Sequence, residues 1–284
     1  LLLILLLVAG CSAQPAAQPS APPPTTTTTT AQTSTATTQS APKTTSPPTT
    51  PATPVWEVGR TPLPKRADGF GEIRPTPPEL VNRSLPTKDV LPPPADGTYK
   101  STIVPIPPEV LARSTWQASC PVGKDDLRYL TMSFWGFDGR PHTGEMIVNT
   151  KVAQQVTGVF AKLYEAKFPL EEMRVTAPAE LDAPPTGDGN STAAFVCRPA
   201  RGQTSWSAHA YGLAVDLNPF CNPYSKGELV LPELASAYLD RGRVRPGMIR
   251  AGDTAERAFA SIGWTWGGTW RTPKDLMHFS STGT

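Results

Sequence analysis

The stretch "SWSAHAYGLAVDLNP", Ser205 to Pro219, carries one of only three histidines in the chain. His209 stands seven positions before Asp216, with Gly212 between them. On a helix, seven residues at about 1.5 Å each would carry the two Cα atoms roughly 10 Å apart, awkward for ligands whose donor atoms sit about 2 Å from one ion. A bend followed by a strand brings them together. Gly212 supplies the backbone freedom for the bend, and Leu213, Val215 and Leu217 then alternate with Ala214, Asp216 and Asn218. The first three are expected to face a core, and Asp216 the opposite side, alongside His209.

Working outward, the periodic apolar pattern begins near Trp116. "LRYLTMSFW" is rich in β-branched and aromatic residues and predicts a strand, and "GFDGRPHTG" after it supplies turn residues. Val152, Val156, Val159, Phe160 and Leu163 recur at helical spacing, with Pro169 beyond the segment's end. "MRVTAP" reads as a short strand, residues 178–192 as a Pro/Gly/Asp loop, and Thr254 to Ile262 as a helix. Strands and helices mix without regular βαβ alternation. The expected class is α+β with a mainly antiparallel sheet and flanking helices.

The first hundred or so positions are different in kind. Most of the 34 prolines fall there, too dense for a compact core. Leu1 to Ala9 is apolar but too short to span a bilayer, and no Met or basic leader precedes it, so it reads as the inside of a secretory signal. "VAGC", Val8 to Cys11, resembles a bacterial lipobox, which implies that the Cys11 thiol is lipidated and the chain cut just before it. Residues 1–11 are thus expected to be a lipoprotein signal segment, and residues 12–55, with the run Thr25 to Thr30, a disordered Thr/Pro-rich tether. Residues 56–115 read as a Pro-rich extended arm or small strands lying on a main domain at 116–284. The formal charge of +2 offers no electrostatic case for nucleic acid.

Beyond Cys11, the chain holds Cys120, Cys197 and Cys221, an odd number that allows one internal disulfide in an exported protein. Cys197 and Cys221 flank the opening stretch and are the preferred pair; either pairing with Cys120 stays open. No Cys-x-x-Cys spacing suggests a zinc-cysteine cluster.

A tetrahedral catalytic zinc needs three protein ligands and one open position. Besides His209 and Asp216, the third ligand can come from His278, in "DLMHFS" with Asp275 three residues earlier, or from His142 in "GRPHTGE"; spacing alone does not choose.

"SAHAYGLAVD" resembles the Ser-x-His-x-x-Gly-x-Ala-x-Asp signature of bacterial D-alanyl-D-alanine carboxypeptidase and dipeptidase metallopeptidases, a family that shares its zinc fold with the hedgehog signalling domain. "WGGTW" followed by "DLMHF" is similar to the family's closing segments, seen also in phage endolysins that cut the L-alanyl-D-glutamate bond. The resemblance covers about residues 120–280. It implies a hedgehog/DD-peptidase-like fold with a zinc cleft, in a lipoprotein of the actinobacterial type. Carried over residue by residue, it makes His209, Asp216 and His278 the zinc ligands and Asp275 the general acid/base. Ser207 becomes a hydrogen-bond partner of substrate, and Arg198 the arginine that meets the polarised carbonyl oxygen or a substrate carboxylate. The family often has an acidic residue after the final His-Phe, where this chain has Ser280.

On this basis the expected activity is zinc-dependent hydrolysis of peptide bonds in peptidoglycan stem peptides, of the D-alanyl-D-alanine carboxypeptidase kind. An L-alanyl-D-glutamate endopeptidase and a noncatalytic wall-binding lipoprotein are the alternatives. The protein is expected to be a monomer held by its lipid at the outer face of the bacterial plasma membrane. His142 is expected to be structural, since a turn offers it backbone partners. Trp264, Trp266 and Trp270 are expected in the core and cleft wall. The chain has no His-Glu-x-x-His and no Gly-x-Ser-x-Gly, which disfavours a thermolysin-like protease and an α/β-hydrolase.

Overall fold

The computed structural model describes residues 56–284; the signal segment, Cys11 and the tether lie outside the described residues. The elements are α1 (Pro78–Val81), β1 (Ser101–Val104), α2 (Pro108–Arg113), β2 (Leu127–Trp135), β3 (Pro141–Asn149), α3 (Ala153–Glu165), β4 (Glu172–Met173) and β5 (Ser191–Thr192). They continue as β6 (Ala214–Asp216), β7 (Tyr224–Lys226), β8 (Leu229–Leu231), α4 (Thr254–Ala260), β9 (Thr265–Trp266), β10 (Lys274–Asp275) and β11 (His278–Ser280). Three three-stranded antiparallel sheets, β1-β2-β3, β10-β7-β8 and β6-β11-β9, are joined by one short parallel pair, β4-β5. The expected α+β class with antiparallel sheets is what the chain adopts.

"LRYLTMSFW" is β2 from end to end, and its alternation builds two cores at once. Leu130, Met132 and Phe134, with Met146 and Val148 of β3, pack against Val156, Val159, Phe160 and Leu163 of α3. Leu127, Tyr129 and Ile147 face the other way, into a cluster with Val110, Phe195 and Cys197. The helical stripe runs where its spacing puts it, one apolar face every three or four residues, and deleting the Phe160 ring would cost about 3–5 kcal/mol. The turn residues of "GFDGRPHTG" end at Arg140, because Pro141 to Gly144 already pair with β2. "MRVTAP" contributes only Met173 to a strand, and the loop at 178–192 ends in β5.

Residues 56–115 are fastened by buried polar groups. Asp188, 2% exposed, accepts from the Trp56 indole at 2.9 Å and from the Gly59 amide. Glu233 accepts from the Gly71 amide at 2.7 Å, and the fully buried Arg83 forks onto Glu171 at 2.5 and 2.6 Å. Leu63 and Leu80 lie in one core cluster with Phe220, Leu234 and Tyr238.

One expectation is overturned. The disulfide joins Cys120 to Cys197, with Cα atoms 5.9 Å apart, and Cys221 is a free, buried thiol; Cys197 and Cys221 are not paired. The reason is that the two residues are buried in different cores. Cys197 and Cys120 belong to the cluster on the Leu127 face, whereas the chain after the opening stretch crosses over and buries Cys221 beside Phe220 and Tyr238. Proximity in sequence was a poor guide because the intervening residues pass between two cores.

Candidate metal centre

The opening stretch folds by local rules. Ser207 caps a single 3-10 turn, Ala208–Tyr211, its Oγ accepting from the His209 amide at 3.3 Å. Gly212 closes the turn with φ 67°, and a Cβ there would stand 2.6 Å from the Asn149 amide nitrogen. The bend is clamped to the end of β3, since Asn149 N donates to Gly212 O at 2.8 Å and Asn149 Nδ2 to Tyr211 O at 3.1 Å. After it, Val215 and Leu217 are fully buried and Asp216 faces out, as the alternation requires. Asn218 departs from the pattern. It takes φ 43° and turns inward, donating to Pro169 O and Gly247 O.

Register brings the remote histidine in. His278 of β11 lies directly opposite Asp216 of β6, so both side chains project from the same face, while Phe279 opposite Val215 projects into the core and stacks on Phe259 at 4.1 Å. His278 Nδ1 is 3.0 Å from Asp216 Oδ1, His209 Nε2 is 3.1 Å from His278 Nδ1, and His209 Nε2 is 3.3 Å from Asp216 Oδ2. His209, Asp216 and His278 form a group whose donor atoms all lie within 4.8 Å of one another.

The far nitrogen of each ring decides what the near one offers. His209 Nδ1 lies 2.6 Å from Ala194 O, and His278 Nε2 lies 3.2 Å from Thr284 O. A carbonyl oxygen accepts only, so each of these nitrogens carries the proton and each neutral ring turns a lone pair toward the other and toward a carboxylate. A positive charge among the three relieves the repulsion. Burial opposes a charged His278, yet its bond to Asp216 and that residue's charge outweigh burial and raise its pKa. Burial also opposes the Asp216 carboxylate, but His209 and His278 hold its pKa well below the usual carboxylate range. Three donors at bonding distance from one tetrahedral zinc, at about 2.0–2.1 Å, stand about 3.3 Å from each other, close to what the three residues show. The donor set fits zinc and leaves one position open.

Asp275, on β10 opposite Tyr224, lines the same cleft, and its buried Oδ1 has no hydrogen-bond partner. Burial, then the charge of Asp216, push its carboxyl up to about 7, against the pull of His278, Arg201 and Arg198. The cleft, of about 660 Å³, is lined also by Arg198, Ser207, Trp206, Tyr224 and Trp270. Burial, then the nearby charge of Arg201, lower Arg198 to about 10, which leaves it charged at neutral pH. Trp270 forms a cleft wall with its ring 5.5 Å from that of His278, whereas Trp264 and Trp266 are in the core.

His142 stands apart. Its ring stacks on Phe134 and its two nitrogens meet Asp89 at 2.8 Å and Asp138 at 3.1 Å. The partners are carboxylates, not the backbone groups expected of a turn, because β3 begins one residue earlier. Sequence reasoning passed over Arg201, Tyr224 and Trp206 as cleft residues. They sit in loops and a short strand without periodicity, and the one available signal was that Arg201 and Trp206 lie in the approach to His209.

A family model described as D-alanyl-D-alanine carboxypeptidase matches residues 201–281, less than half of the chain. The matched span contains Ser207, His209, Asp216, Asp275 and His278 and leaves out Arg198. The match supports kinship with these peptidases and hydrolysis as the class of reaction. No curated protein and no solved structure matches the chain.

Proposed function

We propose that the protein is a zinc-dependent peptidase of peptidoglycan stem peptides, acting in the manner of a D-alanyl-D-alanine carboxypeptidase. The observation that carries this reading is the convergence of His209 Nε2, His278 Nδ1 and the Asp216 carboxylate, each ring locked from behind by a carbonyl. These three residues would hold the metal. Zinc, when bound, supplies Lewis acidity for the scissile carbonyl and for a nucleophilic water. Asp275 takes the water's proton and returns it to the leaving amine, a role suited to a carboxyl that lines the cleft with a buried oxygen free of any hydrogen-bond partner. Arg198 faces the same space as a charged donor for the developing negative charge, and the Ser207 hydroxyl, which only accepts from His209, keeps its own proton for the peptide. Trp270 shields one side of the reacting groups.

The fold name, hedgehog/DD-peptidase-like with a zinc cleft, belongs to the same proposal, as does a monomeric protein held at the outer face of the plasma membrane by acylated Cys11 and a tether at 12–55. Detergent-phase partitioning of the full chain tests the anchor, and recovery only in the aqueous phase would remove it. Mass spectrometry of muropeptides digested with and without chelator tests the chemistry. Chelator-sensitive loss of terminal D-Ala is expected. Stem fragments cut at L-alanyl-D-glutamate would shift the reading to an endopeptidase, and an unchanged digest to a noncatalytic wall-binding protein.

A further inference from the structure

The loop at 199–206 folds as a small hairpin over the cleft. Pro199 bridges to Trp206, Ala200 N donates to Ser205 O at 2.9 Å, and the tip residues from Arg201 to Trp206 are exposed. Arg201 lines the cleft from this tip. Its guanidinium lies 5.6 Å above the ring of Phe70, which belongs to a second hairpin formed by residues 64–72. That hairpin is itself anchored, through the bridge from Lys65 to Gly71, the Gly71 amide on Glu233, and buried Leu63.

Several of the chain's arginines are neutralised by a carboxylate. Arg66, Arg83 and Arg113 are each paired with a carboxylate, Asp68, Glu171 and Glu145. Among the described residues, Arg201 and Arg198 have no such partner, although both line one cleft. Two unpaired guanidinium groups in one cleft repel each other, and together they draw an anion, most strongly a carboxylate that can accept from a fork. Phe70 holds the outer one in place without neutralising it. An aromatic face restrains a guanidinium while leaving its N–H groups free, which an Asp or Glu in that position would not.

We propose that Arg201, positioned by Phe70, binds the free terminal carboxylate of the peptide and so selects a chain end over an internal bond. This deepens the peptidase reading and rests on it for the identity of the ligand. Residues 64–72, remote in sequence from the metal ligands, thereby shape specificity.

The test is a titration of the full chain with acetyl-D-alanyl-D-alanine and with its C-terminal amide, read by tryptophan emission because Trp206 and Trp270 line the cleft. Wild type is expected to prefer the acid. Arg201→Gln should reduce that preference about tenfold, Arg201→Lys less, since charge remains without the fork, and Phe70→Leu about threefold. Unchanged melting temperatures check the folding of the Arg201 and Phe70 variants. A preference indifferent to Arg201 overturns this inference, and with hydrolysis intact it leaves the peptidase reading standing. Acid preference that depends on Arg201 without any hydrolysis upholds the inference as a binding site and overturns the peptidase reading instead. No binding of either peptide to wild type overturns both.

Discussion

Two histidine sites lie in this molecule, and they are built on opposite principles. At His142 both ring nitrogens meet carboxylates, Asp89 and Asp138, so one buried ring is fully satisfied and has nothing left to offer. At the other site His209 and His278 are each satisfied once, from behind, and turn their second nitrogens toward each other and toward one shared carboxylate. A satisfied histidine holds structure. A half-satisfied pair with lone pairs facing inward asks for a cation.

The largest effect should come from removing that demand. His209→Ala or His278→Ala is expected to abolish zinc retention and lower turnover by about a thousandfold or more, measured by metal analysis and by D-Ala release. Retained stoichiometric zinc in either variant would refute the ligand assignment. Asp275→Asn should separate binding from chemistry, keeping zinc while turnover falls about 10²–10⁴-fold.

The same substitution should also show itself in stability. In metal-free protein the raised pKa of Asp275 means that its protonated form adds stability below the ordinary value of 3.8, and that this contribution is lost as pH rises through about 7. Above that pH a buried carboxylate faces Asp216. Asp275→Asn is therefore expected to raise the melting temperature of metal-free protein more at pH 8 than at pH 4, and a gain independent of pH would contradict the assignment. In the zinc-loaded enzyme the metal's charge should draw the acid limb of turnover below pH 7, and that limb should vanish in the variant.

Gly212→Ala comes next, because it strains a left-handed position and drives a Cβ against Asn149. Destabilisation of about 1–3 kcal/mol with weakened zinc affinity is expected, read by urea unfolding and by competition with a chromophoric chelator. His142→Ala should have the smallest effect on chemistry. It removes the ring's contact with Phe134 and its bonds to Asp89 and Asp138, the latter still held by Arg140, and should cost about 1–3 kcal/mol of stability, with zinc content and turnover close to wild type. A large loss of zinc there would erase the contrast between the two sites.

How much of this was legible beforehand depends on the range of the interaction involved. The α3 stripe and the β2 alternation could be read directly, because each residue's face follows from its own position in a helix or strand. The bend at Gly212 could be read for the same reason. What misled was the disulfide, where closeness along the chain suggested Cys197 with Cys221 while tertiary packing sent them to separate cores. What was invisible was the stacking of Arg201 on Phe70, for no local pattern links positions so far apart in sequence.

By itself, then, the sequence determined the local geometry of the opening stretch: a bend at Gly212 and a strand that turns Asp216 away from the core. Tertiary structure alone decided that His278 stands opposite Asp216, that Ala194 and Thr284 fix which nitrogen each ring presents, and that Arg201 stands unpaired over the cleft. Steric and hydrogen-bonding preferences within a few residues act wherever a sequence folds. Strand register and the proton on an imidazole are set by whichever distant groups the packing brings within about 3 Å.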